Sequence, residues 1–462
     1  MAHSSESPIV TGPIDGGQFG WPFGASMLDT AALGYREDEF FIEGTATKYR
    51  QVDGSEWGRD GHWQAEPAGS APYKTRLLIY RPVDPERFNG TVIVTWNNVT
   101  AGYDLFGTDS SEVFEGGFAL VCVTTQKVGI DGLPPVHQGL AAWDPQRYGS
   151  LSIPGDDYSF DVFTQAALAV GANRDRSNDP MSGLDVRHVV AQGASQSAGR
   201  LATYVNAIAP LTSAFDGFIL AIYFGRGTPL EVGDTVVNIK TPASGASTRN
   251  RLRGANLLRD DVGIPIFVVN SELEAIACYG VRQPDSETLR YWESAGTCHV
   301  SQQSRAVRQE MSDRDQLVTR PAEQGLNAIP MNPLYDAVFY HMHRWLTDNI
   351  SPPIQPRVEF TVDEEVVRDE HGIAVGGIRL PQADLPLAQN SSIPLSEDIY
   401  AVLGGSSHAF GQDKIVSLHG DLEAFLGKFQ HAAQAAVEAG VLMPREVPRL
   451  VAEARKSWTD LS

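Results

Sequence analysis

Apolar and polar positions along this chain fall into two rhythms. Up to about residue 130 the rhythm is that of strands. "EFFIEGTATKY" (39–49) and "YKTRLLIYRPV" (73–83) are rich in apolar and β-branched residues, with a Gly/Pro-rich loop between them. "TVIVTW" (91–96) and "FALVCVTTQ" (118–126) are apolar without alternation, the pattern of strands buried on both faces. Beyond residue 156, helical and strand patterns alternate. "YSFDVFTQAALAV" (158–170) puts Phe160, Phe163, Ala167 and Leu168 on one face, behind Asp156 and Asp157, and predicts a helix. "RHVVAQ" (187–192) reads as a strand. "AGRLATYVNAIA" (198–209) repeats apolar residues at Ala198, Leu201, Ala202 and Val205, and Pro210 ends it. "FDGFILAIYF" (215–224) and "IPIFVVN" (264–270) are two more core strands. "NPLYDAVFYHMHRWL" (332–346) predicts a helix with Asn332 as N-cap and Pro333 as its first residue.

Such alternation predicts an α/β fold, a mostly parallel sheet with helices on both faces. The stretch 226–262 is polar, rich in Gly, Thr and Arg, and too long for an ordinary connection. It is expected to be a lid-like insertion. A stiff "PPIQP" (352–356) sets off the remainder, in which 357–381 reads as a β-hairpin and 421–439 and 445–457 as amphipathic helices. The expected organisation is a core over 1–350, carrying the insertion, and a C-terminal extension over 351–462 packed on it.

Composition narrows the partners. Lys and Arg number 36 against 57 Asp and Glu, a net charge of −21 without any basic block. Phosphate backbones and anionic membranes demand clustered cations, so neither nucleic acid nor a membrane surface is expected. No apolar run approaches the ~18 residues of a membrane helix, and the N-terminus has no signal-peptide pattern. Three cysteines, an odd and sparse set, fit a reducing compartment and a cytoplasmic protein. The alternative is an exported protein read without its signal. No HExxH, CxxC pair or Walker loop is present, so neither a metal nor a cofactor is expected.

The chemistry concentrates in "HVVAQGASQSAGRLATY" (188–204), a strand, a turn of small residues and a helix. A nucleophilic serine on a sharp strand-to-helix turn needs small residues two before and two after it. Read with Ser195 as nucleophile, these are Gly193 and Ser197. Read with Ser197, they are Ser195 and Gly199. The first register keeps the leading glycine of G-x-S-x-G; the second gives an "SAG" elbow without it. A triad then needs an acid and a histidine in that chain order. "IPIFVVNSELEAI" supplies Glu274 by its distance from Pro265, with Glu272 as the rival. "ESAGTCH" supplies His299 in a small-residue loop, with His408 in "GGSSHAFGQ" as the weaker rival. The backbone N–H of Gln196 is the expected first oxyanion donor, and the second is expected around Asn98 and Val99. Each residue also has a plainer reading: a Gly/Ser turn, acids at a helix start, a structural histidine, asparagines capping a turn.

In sequence, the chain resembles the large bacterial "alpha/beta hydrolase domain" family of carboxylesterase-like proteins. The resemblance rests on "GYREDEFFIEGTATKY", "RFNGTVIVTWNNVTAGYD", "WDPQRYGSLSIPGDDYSFDVFTQA", "GASQSAGRLATYVNA", "VVNSELEA", "RQPDSETLRYWESAGTCH" and "GGIRLPQADLP", in order over about 34–385. It implies an α/β-hydrolase fold and a G-x-S-Q-S elbow, which favours Ser195. It also implies hydrolysis of a small-molecule ester or lactone through an acyl-enzyme. The rivals are an amidase, acyltransferase or lyase on the same residues, or an inactive binding protein of the same fold.

Overall fold

A computed structural model describes residues 7–105, 110–233, 253–319, 325–393 and 398–461. The chain divides into two compact units. The first comprises Met1–Pro242, Ala255–Ile266 and Glu310–Arg320; the second comprises Ala243–Gly254, Phe267–Gln309 and Pro321–Ser462.

The first unit is built on strands β1 (Ile9–Thr11), β2 (Tyr35–Gln51), β3 (Ala65–Pro82), β4 (Thr91–Trp96), β5 (Ala119–Val123), β6 (His188–Ala194) and β7 (Gly217–Ala221). Their spatial order is β1-β2-β3-β5-β4-β6-β7. The β1–β2, β2–β3 and β3–β5 pairs are antiparallel, whereas β5–β4, β4–β6 and β6–β7 are parallel. Every residue of β4 and β7 is buried, as their unbroken apolar runs require. Strand β3 is longer than the sequence suggests: it includes "AEPAGSAP", paired to β2 with a register shift between Lys48 and Tyr49. Half of that stretch faces solvent, so its composition resembles a loop.

Helix α1 (Ser159–Val170) lies where the pattern places it. Helix α2 (Gln196–Thr203) ends sooner than expected and passes into a π-turn at Tyr204–Ile208 ahead of Pro210. There the Asn206 side chain donates to Leu257 O (2.9 Å) and accepts from Arg259 N–H (3.0 Å). Of the lid-like insertion, residues 234–252 lie outside the described residues. Its described flanks supply Arg226, Thr228 and Asn256 to a cavity of about 530 Å³, which Trp57 and Trp63 also line. The two indoles stack at 4.4 Å.

A buried ionic cluster ties the segment after β4 to the rest of this unit. Arg76 on β3 donates to Asp104 (3.1 Å), Glu39 (3.3 Å) and Phe23 O (2.8 Å). Asp104 also accepts from Asn97 Nδ2 at 3.1 Å, and Glu39 from Tyr148 OH at 2.8 Å. Each charged side chain in the cluster has at least one hydrogen-bonded partner, the condition for holding ions in a core, although Asp104 Oδ1 has none among the described residues.

The second unit contains most of strand β8 (Ile266–Ser271), helix α3 (Glu272–Cys278), strand β9 (Leu289–Ser294), helix α4 (Asn332–Asp348), the ribbon β10 (Ala388–Ser391) with β11 (Ser406–Ala409), and helices α5 (Leu422–Glu438) and α6 (Glu446–Asp460). Residues 351–462 thus fall together with 267–309. Helix α4 is capped by Met331, so Asn332 is its first residue and Pro333 its second, one position later than expected. The segment read as a β-hairpin is three short pieces, each bridged to the other two. The bridges are Val358–Gly376, Phe360–Val366 and Arg368–Ala374. One bridge per pair is too little for a regular strand, and the core under it is made by Ile329, Ile373, Ala374 and Ala383. Among the described residues no helix is long and apolar enough to cross a membrane.

Candidate active site

Ser195 sits between β6 and α2 with φ 61° and ψ −117°, a left-handed conformation that a β-carbon disfavours. The turn is held from both sides: Ser195 N–H donates to Ala221 O (3.0 Å), and Gly199 N–H to Ser195 O (3.2 Å). A β-carbon on Gly193 would stand 2.8 Å from Ser197 O, and one on Gly199 would stand 3.0 Å from Arg226 O. Only glycine fits at Gly193 without displacing backbone. Ser195 retains 8 % exposure, whereas Ser197 lies in the first turn of α2 with none. Ser197 Oγ has no hydrogen-bond partner among the described residues. The two serines two positions apart therefore differ in kind: one stands on the strained turn, and the other is packed beneath it.

Gln196 opens α2, and its backbone N–H makes no hydrogen bond among the described residues. Asn98, expected as an oxyanion donor, is engaged in the turn after β4. Its N–H donates to Leu105 O (2.9 Å) and its Nδ2 to Ala194 O (3.2 Å), while its Oδ1 accepts from Thr100 N–H (2.8 Å). The backbone N–H and one of the two Nδ2 hydrogens are thus committed to building the turn. The next residue, Val99, has a backbone N–H with no acceptor among the described residues.

The acid and the base belong to the second unit. Glu274 is fully buried, and its Oε1 lies 2.8 Å from His299 Nδ1. Its other oxygen accepts from Ser271 N–H (3.2 Å) and from Ser271 Oγ, closing a capping box on α3. The carboxylate is an acceptor only, so neutral His299 carries its proton on Nδ1 and presents Nε2 as its basic atom. The His299 side chain is 6 % exposed.

Glu272, the rival acid, is engaged elsewhere. It accepts from Gly296 N–H (2.6 Å) and Ser392 Oγ (2.5 Å) and pairs with Arg368 at 2.7 Å. Gly296 has φ 73°, and a β-carbon there would stand 2.9 Å from Ile329. Its carbonyl accepts from Asn327 Nδ2 at 2.8 Å. The small residues before His299 therefore serve a tightly bonded, buried loop rather than a loose one. His408, the rival base, is exposed on β11. His341 bonds Gly440 O at 2.7 Å, a structural role. Cys122, Cys278 and Cys298 are free and buried, and burial pushes all three thiols up. That makes them poor nucleophiles.

Sequence reasoning missed Arg368, Asn327 and Ser392, which hold the His299 loop from positions far along the chain. It also missed Gln126, Asp156 and Arg200, whose contacts are described below. Asp156 registered only as an acid before a helix.

Comparison with known proteins decides the family. The model of the alpha/beta hydrolase domain matches residues 10–452. This chain belongs to that family. Among solved structures, the chain is similar to esterase Est22, at 11 % identity over 52 % of this chain and 64 % of that one, with a TM-score of 0.25. It is similar to brefeldin A esterase, a bacterial homologue of human hormone sensitive lipase, at 14 % identity over 50 % and 60 %, with a TM-score of 0.23. It is also similar to PNB esterase, at 14 % identity over 46 % and 51 %, with a TM-score of 0.25. In each case this chain spans less than two thirds of the other chain's length. No curated protein matches it.

Proposed function

We propose that this chain is a serine carboxylester hydrolase acting on a small-molecule ester or lactone through an acyl-enzyme. The observation that carries the proposal is the strained, left-handed backbone of Ser195 at the β6–α2 junction. A buried non-glycine residue in that conformation costs of order 1–3 kcal/mol, and such strain clusters at functional sites. In this reading Ser195 Oγ attacks the ester carbonyl carbon, and its proton passes to His299 Nε2. Glu274 orients the ring through Nδ1 and stabilises the imidazolium. The carbonyl oxygen becomes an oxyanion and accepts from the N–H groups of Gln196 and Val99. The C–O bond then breaks, the alcohol leaves with the proton from His299, and water repeats the sequence on the acyl-enzyme.

The test compares two serines on one p-nitrophenyl ester. Ser195→Ala is expected to lower kcat by roughly 10³ or more and to abolish labelling by a fluorophosphonate. Ser197→Ala is expected to keep both. The opposite pattern would move the nucleophile to Ser197, and a folded wild-type protein that the probe does not label would remove the serine mechanism.

A further inference from the structure

The reaction above uses the backbone of Gln196 and leaves its side chain unexplained. Gln196 Nε2 donates to Gln126 Oε1 at 2.9 Å. The same oxygen accepts from the Trp96 indole N–H at 3.2 Å. Gln126 Nε2 donates to Asp156 Oδ2 at 2.8 Å, and that oxygen also accepts from Arg200 Nη2 at 3.1 Å. Asp156 Oδ1 accepts from Lys127 N–H at 3.0 Å. Gln126 and Arg200 have no exposure, and Asp156 has 6 %.

The direction of this run is fixed at both ends. An indole N–H only donates and a carboxylate only accepts. The Gln126 amide must therefore turn its oxygen to Trp96 and its NH₂ to Asp156. Gln196 then has to present its own NH₂ to the Gln126 oxygen, since two carbonyl oxygens would repel. The run starts from the last residue of β4 and grips α2 at two points one turn apart, Gln196 and Arg200. Stability alone accounts poorly for it. Arg200 Nε and Nη1 are buried without a partner among the described residues, and buried ion pairs with unsatisfied groups are no better for stability than apolar packing.

We propose that Gln126 and Asp156 are positioning residues that hold the Gln196 N–H in place as an oxyanion donor. The inference rests on Ser195 being the nucleophile. It is tested in the full-length protein with p-nitrophenyl acetate, a trifluoromethyl ketone as tetrahedral analogue, and fluorophosphonate titration of the reactive serine. Gln126→Leu is expected to lower kcat by about 10- to 100-fold, less than outright loss of an oxyanion donor, with KM within about twofold. Ketone affinity should fall in parallel with kcat, and one serine per chain should still titrate. Gln126→Glu sets two carboxylates against each other and is expected to lose rate likewise.

Unchanged kcat in a folded, fully titrating Gln126→Leu protein would overturn the inference. So would unchanged kcat in a folded, fully titrating Gln126→Glu protein, which is the deciding comparison if Gln126→Leu does not fold. If wild-type protein does not titrate at Ser195, the serine reading falls first and this inference with it.

Discussion

Glu272 and Glu274 stand two positions apart on the first turn of one helix and are both buried, yet their partners separate them. Glu274 faces the His299 ring, and Glu272 fastens Gly296, Ser392 and Arg368. Glu274→Gln is expected to lower kcat by ~10² to 10⁴ with folding intact, because a neutral amide does not stabilise an imidazolium. Glu272→Gln belongs to another class. It leaves a guanidinium and a backbone N–H with a weaker acceptor, and is expected to cost about 1–3 kcal/mol in urea unfolding. A Glu272→Gln protein with unchanged stability and a lost rate would exchange the two assignments. The count from Pro265 reached Glu274 in the sequence. Nothing local marked Glu272 as structural, since its partner Ser392 lies 120 residues further on. Asn98 was legible only in part: an asparagine after a strand caps a turn or offers a donor, and its bonds to Leu105 O and Ala194 O show the first without taking its second Nδ2 hydrogen.

At the scale of elements, unbroken apolar runs were the most legible signal, and β4, β6 and β8 follow them closely. The β6–α2 junction was legible too, because the close approach of Ser197 O to position 193 admits only glycine. Gly193→Ala is accordingly expected to destabilise the protein by about 1–3 kcal/mol and to slow fluorophosphonate labelling. A thermal melt and a labelling time course read the two effects separately, and an unshifted melt would mean that the turn relaxes around a methyl group. What the sequence concealed were elements without periodicity. The distal β2–β3 ribbon looks like a loop because it is half exposed, and the bridged pieces over 358–376 look like a hairpin because three single bridges resemble a strand pair in composition.

For the molecule as a whole, three histidines with lowered pKa add a pH-dependent part to the stability. Burial lowers the pKa of His188, His341 and His419 below the ordinary histidine value. A lowered folded-state pKa means that protonation favours the unfolded chain. These groups therefore contribute their full stability above about pH 6.5, and that stability is lost as pH falls below it. The melting temperature is expected to drop between pH 7 and pH 5, and His341→Gln to flatten that drop; a variant with the wild-type slope would remove His341 from the account. Thiol counting under denaturing, non-reducing conditions is expected to find three free groups, and any smaller number would contradict the free cysteines seen here. The clamp on Glu272 also bears on how such a protein can be cut or recombined. Arg368 and Ser392 lie past residue 350, in the stretch that reads in sequence as a C-terminal extension packed on the core. A chain stopped at residue 350 would keep Ser195, Glu274 and His299 and still strand an anion in a dry interior. The tail is thus not a module to be trimmed or traded between relatives, and a boundary drawn at the proline-rich linker is expected to give an insoluble product.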